Sequence, residues 1–166
     1  MLHYYRFFAL LLLVCSLFGF TGCGPKGPVV YPVTGIVTLD GKPIQGASVS
    51  FLPKQAASED DISGPLEAYG QTDADGKYFL STTRGSAIDG GTTVGEYNVT
   101  VAKMRMANAP PTDSSGGGGG FVPRFEYTIP QVFDKAETAK ISVEVVKGKN
   151  TFNFVLKSDG THEVTK

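Results

Sequence analysis

The sequence predicts an all-β domain, folded as a two-layered sandwich of about seven short strands. From residue 31 onward, apolar residues alternate with polar ones in short runs, the pattern of strands that are buried on one face. Most of the 21 glycines and 10 prolines fall between those runs, where turns are needed. No stretch in this part of the chain shows a convincing helical periodicity.

The first strand illustrates the pattern. Val33, Val37 and Leu39 point to one side of an extended chain, and the residues between them point to the other. Four more runs repeat this alternation, and two less regular runs complete the set. The predicted strands lie at 33–39, 48–51, 68–72, 78–81, 96–101, 141–145 and 151–156.

Turn residues separate these runs. Asp40-Gly41 follows the first strand, while Asp75-Gly76 and Lys147–Asn150 each lie between two runs and are hairpin signals. A domain of about 126 residues buries roughly two-thirds of its unfolded surface, so it can hold a core without disulfides or metal.

Two connections are too long to be simple turns. One is Pro53–Pro65, with an acidic cluster at 59–61, and the other is Met104–Thr128, with five consecutive glycines at 116–120. Loops of this length are functional or disordered, and a glycine run loses much chain entropy when it is fixed, so we expect mobility there.

Three aromatic residues accompany the glycine run. Phe121, Phe125 and Tyr127 follow it closely, and they form a sticky exposed surface or pack back onto the sandwich. The sequence leaves both possibilities open.

The first 22 residues read as a secretory signal peptide. Arg6 is their only charge, and a nearly unbroken apolar run extends from Phe7 to Phe20. Fourteen helical residues span about 21 Å, which is short of the ~30 Å hydrocarbon core of a bilayer. A signal peptide therefore fits better than a membrane span.

The end of that run resembles a lipobox, the cleavage site of bacterial lipoproteins. Phe20, Thr21 and Gly22 precede Cys23, whose sulfur would carry the lipid; Phe20 departs from the leucine that this motif favours. Two or three acyl chains anchor a protein almost irreversibly. The alternatives are an ordinary cleaved signal or a short uncleaved anchor.

Cysteine usage agrees with a lipoprotein. Cys15 would be lost with the signal, so Cys23 would be the only cysteine of the mature chain, and no disulfide is possible. Residues 23–30 form a short polar tether, and the absence of Asp after the cysteine favours the outer membrane. We therefore predict an exported protein held at a membrane by lipid.

Three stretches resemble a known family. They are VTGIVTLDGKPIQGASVSF at 33–51, TDADGKYFL at 72–80 and GEYNVTV at 95–101, and they resemble the carboxypeptidase regulatory-like domain. Two later stretches, at 129–138 and 147–157, are similar to small exported lipoproteins with that domain. The resemblance covers residues 31–157 and implies a seven-stranded, transthyretin-like (prealbumin-like) β-sandwich with a non-catalytic role, followed by a polar tail at 158–166.

Little in the sequence indicates chemistry. His162 is the only histidine after the predicted signal and is expected in the solvated tail, so a His triad or multi-His zinc site lacks its residues. Asp73 and Asp75 begin a calcium-like Asp-x-Asp-Gly sequence, but the twelfth position is Arg84 where an EF-hand has Glu. A tight turn is the simpler interpretation. The chain also lacks the Tyr-Arg-Gly-Ser C-terminus of the hydroxyisourate hydrolases, which share the transthyretin-like fold.

The overall charge excludes one class of partner. With 15 basic and 16 acidic residues and a net charge of −1, the chain has no basic excess for nucleic acid. The predicted function is a non-enzymatic envelope lipoprotein without cofactors that contacts protein or polysaccharide. The alternative is a carbohydrate-binding module, which the absence of tryptophan disfavours.

Overall fold

Strands dominate the computed structural model, which describes residues 28–55, 64–82, 90–107 and 124–166. The prediction of an all-β fold is confirmed for these residues. The strands are β1 Val33–Leu39, β2 Lys42–Pro43, β3 Ser48–Pro53, β4 Ala68–Gln71, β5 Lys77–Phe79, β6 Ser81–Thr82, β7 Gly95–Ala102, β8 Met104–Met106, β9 Phe125–Tyr127, β10 Ile141–Val145, β11 Asn150–Thr151, β12 Asn153–Leu156 and β13 His162–Thr165.

The first sheet is built around β1, and its order is β11-β1-β12-β13. One edge of β1 pairs in parallel with β11 and then β12, which follow each other in the same register. Its other edge pairs antiparallel with β5 and with β2. β1 is therefore a central strand, and it is buried on the face that the sequence predicted.

The second sheet is antiparallel and has the order β10-β7-β3-β4-β6. β7 is its longest strand and pairs with β3 on one side and with β10 on the other. The chain passes from the first sheet to the second between Phe79 and Ser81, because β5 pairs with β1 whereas β6 pairs with β4.

Aromatic side chains fill the space between the two sheets. Phe51 of β3 lies 6.1 Å from Phe152 and 6.2 Å from Phe154 of β12, measured between ring centroids. Tyr78 of β5 stacks on Phe154 at 5.9 Å. These rings are almost completely buried, so the two sheets share one core.

A glycine allows the closest approach inside the first sheet. A Cβ atom on Gly35 would lie 1.8 Å from the carbonyl oxygen of Phe152. The buried Tyr78 hydroxyl donates to that same oxygen at 2.8 Å, and the side-chain oxygen of Asn153 accepts from the backbone N–H of Ile36 at 3.1 Å. Around Gly35 the hydrogen-bond ladder between β1 and the β11–β12 segment is thus interrupted. Side chains make the missing hydrogen bonds to Ile36 N–H and Phe152 O instead.

The expectation of no helix is wrong over one short segment. Gln131–Phe133 forms a 3₁₀ turn, and α1 (Ala136–Ala139) forms a single helical turn. Phe133 and Ala139 are buried, and Lys140 ends the helix with a left-handed φ of 52°. Four residues are too few to produce a visible helical period, which is why the helix was not predicted.

The predicted polar tail at 158–166 is also corrected. His162–Thr165 forms β13, which pairs antiparallel with all four residues of β12. The half-buried Val164 packs against the core. Only one apolar side chain in this segment faces inward, so its alternation was too weak to predict a strand.

The ends of the predicted 104–128 loop are strands as well. β8 and β9 form a separate two-stranded ribbon that continues the chain from β7. The glycine run and Phe121 lie outside the described residues, as do the signal peptide, Cys23 and the acidic cluster at 59–61. No helix in the described part of the chain is long and apolar enough to cross a membrane.

Candidate functional site

The described domain has two distinct ends, defined by strand direction. Tyr31 bridges to Thr92 just before β1 and β7 begin, so the chain enters the domain at the end where both strands start. We call this the entry end. β7 finishes at the opposite end and leads directly into β8; we call this the ribbon end. Seven residues of β1 separate the two ends by about 20 Å at ~3.3 Å per residue.

The ribbon at this second end has one apolar face and one charged face. Its register pairs Met104 with Tyr127, Arg105 with Glu126 and Met106 with Phe125. Because side chains alternate between the faces of a strand, the first and third pairs share a face. Met104 is 54% exposed, Met106 57%, Phe125 58% and Tyr127 37%. These four residues are the Met–aromatic face.

Several contacts hold the ribbon in shape. Thr128 donates its N–H to Lys103 O at 2.9 Å, and Ala107 donates to Arg124 O at 2.7 Å, so the pairing extends one step beyond β8 and β9 at each end. On the charged face, Arg105 contacts Glu126 at 3.2 Å.

A tyrosine attaches the ribbon to the domain. The Tyr127 hydroxyl donates to the Asp134 carboxylate at 2.8 Å, next to the 3₁₀ turn. This hydrogen bond raises the pKa of Tyr127 above its ordinary value, with smaller contributions from desolvation and from the Asp134 charge. The exposure of both rings shows that Phe125 and Tyr127 do not pack back onto the core, so for these two residues the exposed surface is the possibility observed.

A shallow cavity lies at the base of the ribbon. Its volume is about 490 Å³, and Leu39, Ile44 and Ile129 line it together with Lys42 and Lys103. The presence of Leu39 and Lys103 in one cavity confirms that β1 and β7 finish at the same end. The cavity thus combines two cationic side chains with an apolar surface.

Asp40 also lines this cavity, but its carboxylate is already engaged. It accepts hydrogen bonds from the hydroxyl of Ser158 and, at 3.0 Å, from the Ser158 N–H. The bond from the hydroxyl, followed by the bond from the N–H, lowers the pKa of Asp40. Asp40 therefore joins two turns at the ribbon end.

The candidate calcium ligands form a turn. One oxygen of Asp73 accepts from the N–H of Asp75 at 2.9 Å and from the N–H of Lys77 at 2.8 Å. Asp75 pairs with the Lys77 ammonium at 3.1 Å, and this hydrogen bond raises the pKa of Lys77. The described residues contain no cluster of three or more histidine, cysteine, aspartate or glutamate side chains arranged for a metal. The arrangement fits the hairpin turn that the sequence favoured over calcium.

His162 does not lie in a solvated tail. It is a half-buried residue of β13, and its ring meets the Phe133 ring edge-on at 6.4 Å. No carboxylate or hydroxyl is among its described hydrogen-bond partners. The contact therefore supports packing of the last strand against the 3₁₀ turn.

A buried polar cluster holds the entry end together. The Tyr97 hydroxyl is within 2.9 Å of the Thr93 hydroxyl and 3.1 Å of the Thr92 hydroxyl, and it donates to Thr93 O at 2.9 Å. Thr92 donates to Leu66 O, and Leu66 N–H donates to Thr93. These groups satisfy one another away from solvent, so the cluster is structural.

The sequence identified Phe125 and Tyr127 but missed the methionines opposite them. The signal was present, because Met104-Arg105-Met106 alternates like a strand, but the glycine run led to a loop prediction for the whole stretch. Cys23 and the lipobox lie outside the described residues.

In comparisons with known proteins, no family model, curated protein or solved structure matches this chain.

Proposed function

We propose that this protein is an exported, lipid-anchored envelope protein without catalytic activity, and that it presents an interaction surface at its ribbon end. One observation carries the proposal: the most exposed apolar face of a described strand pair lies at the end of the domain opposite to chain entry. A tether at 23–30 that begins with a lipidated Cys23 would hold the entry end near a membrane and leave the ribbon directed away from it.

We also propose that the fold is a carboxypeptidase regulatory-like, seven-stranded prealbumin-like sandwich. The three stretches that carry the resemblance each coincide with strands and turns of the two sheets. Residues 33–51 supply β1 to β3, residues 72–80 supply a turn and β5, and residues 95–101 supply most of β7. Two sheets packed through one aromatic core support this classification.

The polar groups of the described turns support a binding role rather than catalysis. The carboxylates of Asp40, Asp73 and Asp159 each accept hydrogen bonds from nearby turn residues. Such carboxylates hold loops in shape and are not poised to move protons. A sandwich with hydrogen-bonded turns and an exposed ribbon is suited to contacting a large partner.

Carbohydrate binding is the second candidate, because Phe125 offers an exposed aromatic ring. Methionines surround this ring in the Met–aromatic face, and the neighbouring Tyr127 hydroxyl is committed to Asp134. Sugar recognition uses polar groups directed at the ligand beside the ring, and this face has few. A protein partner therefore fits the surface better.

The lipid anchor is tested by metabolic labelling of the full chain with palmitate in a bacterial host. We expect the wild-type protein and Cys15→Ala to carry label, since Cys15 lies in the removed signal, and Cys23→Ala to carry none. Unlabelled wild-type protein, or label that persists in Cys23→Ala, would contradict the proposed anchor.

A further inference from the structure

We propose that the outer edge of β8 receives an extended strand from a partner protein, whose apolar side chains pack on the Met–aromatic face. This inference rests on the proposed function, because it specifies the chemistry of the partner. It follows from the backbone groups of the ribbon, from its side chains and from its position in the domain.

The backbone of β8 has hydrogen-bonding groups directed outward. In an antiparallel pair, hydrogen-bonded residue pairs alternate with non-bonded ones. The bonds at Lys103–Thr128 and Ala107–Arg124 place Arg105 and Glu126 in a bonded pair. The N–H and C=O groups of Met104 and Met106 therefore point away from β9, and among the described residues β8 pairs with β9 alone.

The two strands of the ribbon are not equally attached to the domain. β9 leads into the 3₁₀ turn Gln131–Phe133, and its Tyr127 hydroxyl is bonded to Asp134 beside that turn. Among the described residues neither strand pairs outside the ribbon, and β8 is the strand without such a side-chain bond to the domain. An unpaired edge is a template for an added strand.

The side chains define the partner's sequence pattern. Met104 and Met106 present flexible thioethers, which adapt to apolar side chains of different shapes. On the other face, Arg105 and Glu126 pair with each other and stay in solvent. An added strand would therefore have apolar residues at alternate positions and polar residues between them.

The area of the face argues against a second copy as the occupant. Four side chains about half exposed, at about 200 Å² each, present on the order of 400 Å². A stable interface buries about 800 Å² on each partner. Strand addition needs less side-chain area because main-chain hydrogen bonds contribute as well. A bilayer is also a poor occupant, since the chain enters the domain at the opposite end.

The probe for this site is an acetylated ten-residue peptide in which valine alternates with threonine and lysine. It is added to the full-length chain in detergent micelles, and a peptide of the same composition with its valines grouped together is the control. We expect saturable binding of the alternating peptide and at least tenfold slower hydrogen exchange at the amides of Met104 and Met106. Unchanged exchange at these amides in the saturated complex would overturn the proposal.

Three variants separate backbone from side-chain contributions. Met106→Pro removes an outward donor at an edge position that tolerates proline, and the pair Met104→Thr with Met106→Thr removes the apolar contacts. Both are expected to weaken peptide binding tenfold or more. Val146→Thr, an equally exposed residue at the entry end, should bind as wild type does.

Equal binding by all variants would place the peptide elsewhere and contradict the proposal. Dimers seen by analytical ultracentrifugation in wild type but not in the double threonine variant would assign the face to a second copy. These outcomes are independent of lipidation, because palmitate labelling of Cys23 tests the anchor and peptide binding tests the ribbon.

Discussion

Gly35 and Tyr78 show how single residues hold the first sheet together. Gly35 leaves room for the Tyr78 hydroxyl to reach the carbonyl of Phe152, and Asn153 accepts the N–H of Ile36 that the ladder leaves free. At both positions a side chain makes the hydrogen bond that the strand ladder does not make. The backbone N–H and C=O groups of these closely packed strands are therefore satisfied.

Replacing Gly35 with alanine tests this close approach. The new Cβ would lie 1.8 Å from Phe152 O, so β1 and β12 must separate, and we expect a loss of about 3 kcal/mol in the free energy of unfolding by urea denaturation. The neighbouring exposed Thr34→Ala should change it by less than about 0.5 kcal/mol. Equal effects of the two substitutions would contradict the packing.

Replacing Tyr78 with phenylalanine removes the buried donor to Phe152 O, which should lower the free energy of unfolding by about 1–2 kcal/mol at neutral pH. Burial also raises the pKa of Tyr78 far above its ordinary value of 10.0. The folded protein thus retains this proton longer than the unfolded chain, so stability is complete below pH 10 and falls as pH rises above it.

Urea denaturation between pH 8 and pH 11.5 separates the two effects. The wild-type protein should lose stability above pH 10 more steeply than Tyr78→Phe does. Parallel curves for the two proteins would show that Tyr78 does not ionise on unfolding.

Two elements of the fold differ from the prediction. β13 lies where the sequence predicted a polar tail, and the ribbon lies where it predicted a loop. β13 closes the first sheet at β12. Its Val164 side chain packs against the core, and its His162 ring meets the buried Phe133 ring. The ribbon extends β7 beyond the domain instead of packing on it. β13 packs on the core, whereas β8 and β9 extend away from it, although all three strands follow the same alternating pattern.

Val164→Asp tests whether β13 is part of the core. A charge at this half-buried position should lower the free energy of unfolding by about 2 kcal/mol. The adjacent, exposed Glu163→Ala should stay within about 0.5 kcal/mol of wild type. If both variants unfold at the same urea concentration as wild type, residues 158–166 are a solvated tail.

An element of the fold could be predicted from the sequence only where enough apolar residues alternate to show a period. Runs such as 33–39 and 141–145 have three inward side chains each, and the structure confirms them as strands. The helical turn at 136–139 and β13 have too few apolar residues to show a period. The proposed lipid attachment at Cys23 rests on a local motif. The proposed interaction surface depends instead on strand pairing between residues 21 positions apart, which periodicity does not report.

At the scale of the whole molecule, the direction of the strands gives the domain its polarity. The chain enters beside Thr92, and the eleven steps from Gly95 through β7 and β8 to Met106 cover about 35 Å at ~3.3 Å per residue. A lipid on Cys23, with a tether of a few residues, would keep Val146 close to the bilayer and Met106 far from it.

Depth measurement in nanodiscs tests this polarity most directly. If lipid occupies the sulfur of Cys23 and Cys15 leaves with the signal, a cysteine introduced as Val146→Cys or Met106→Cys would be the only site for a fluorescent label in the mature chain. With nitroxide quenchers on the lipid headgroups, the label at 146 should be quenched strongly and the label at 106 weakly. Equal quenching at the two positions, or stronger quenching at 106, would contradict a ribbon that is displayed away from the membrane.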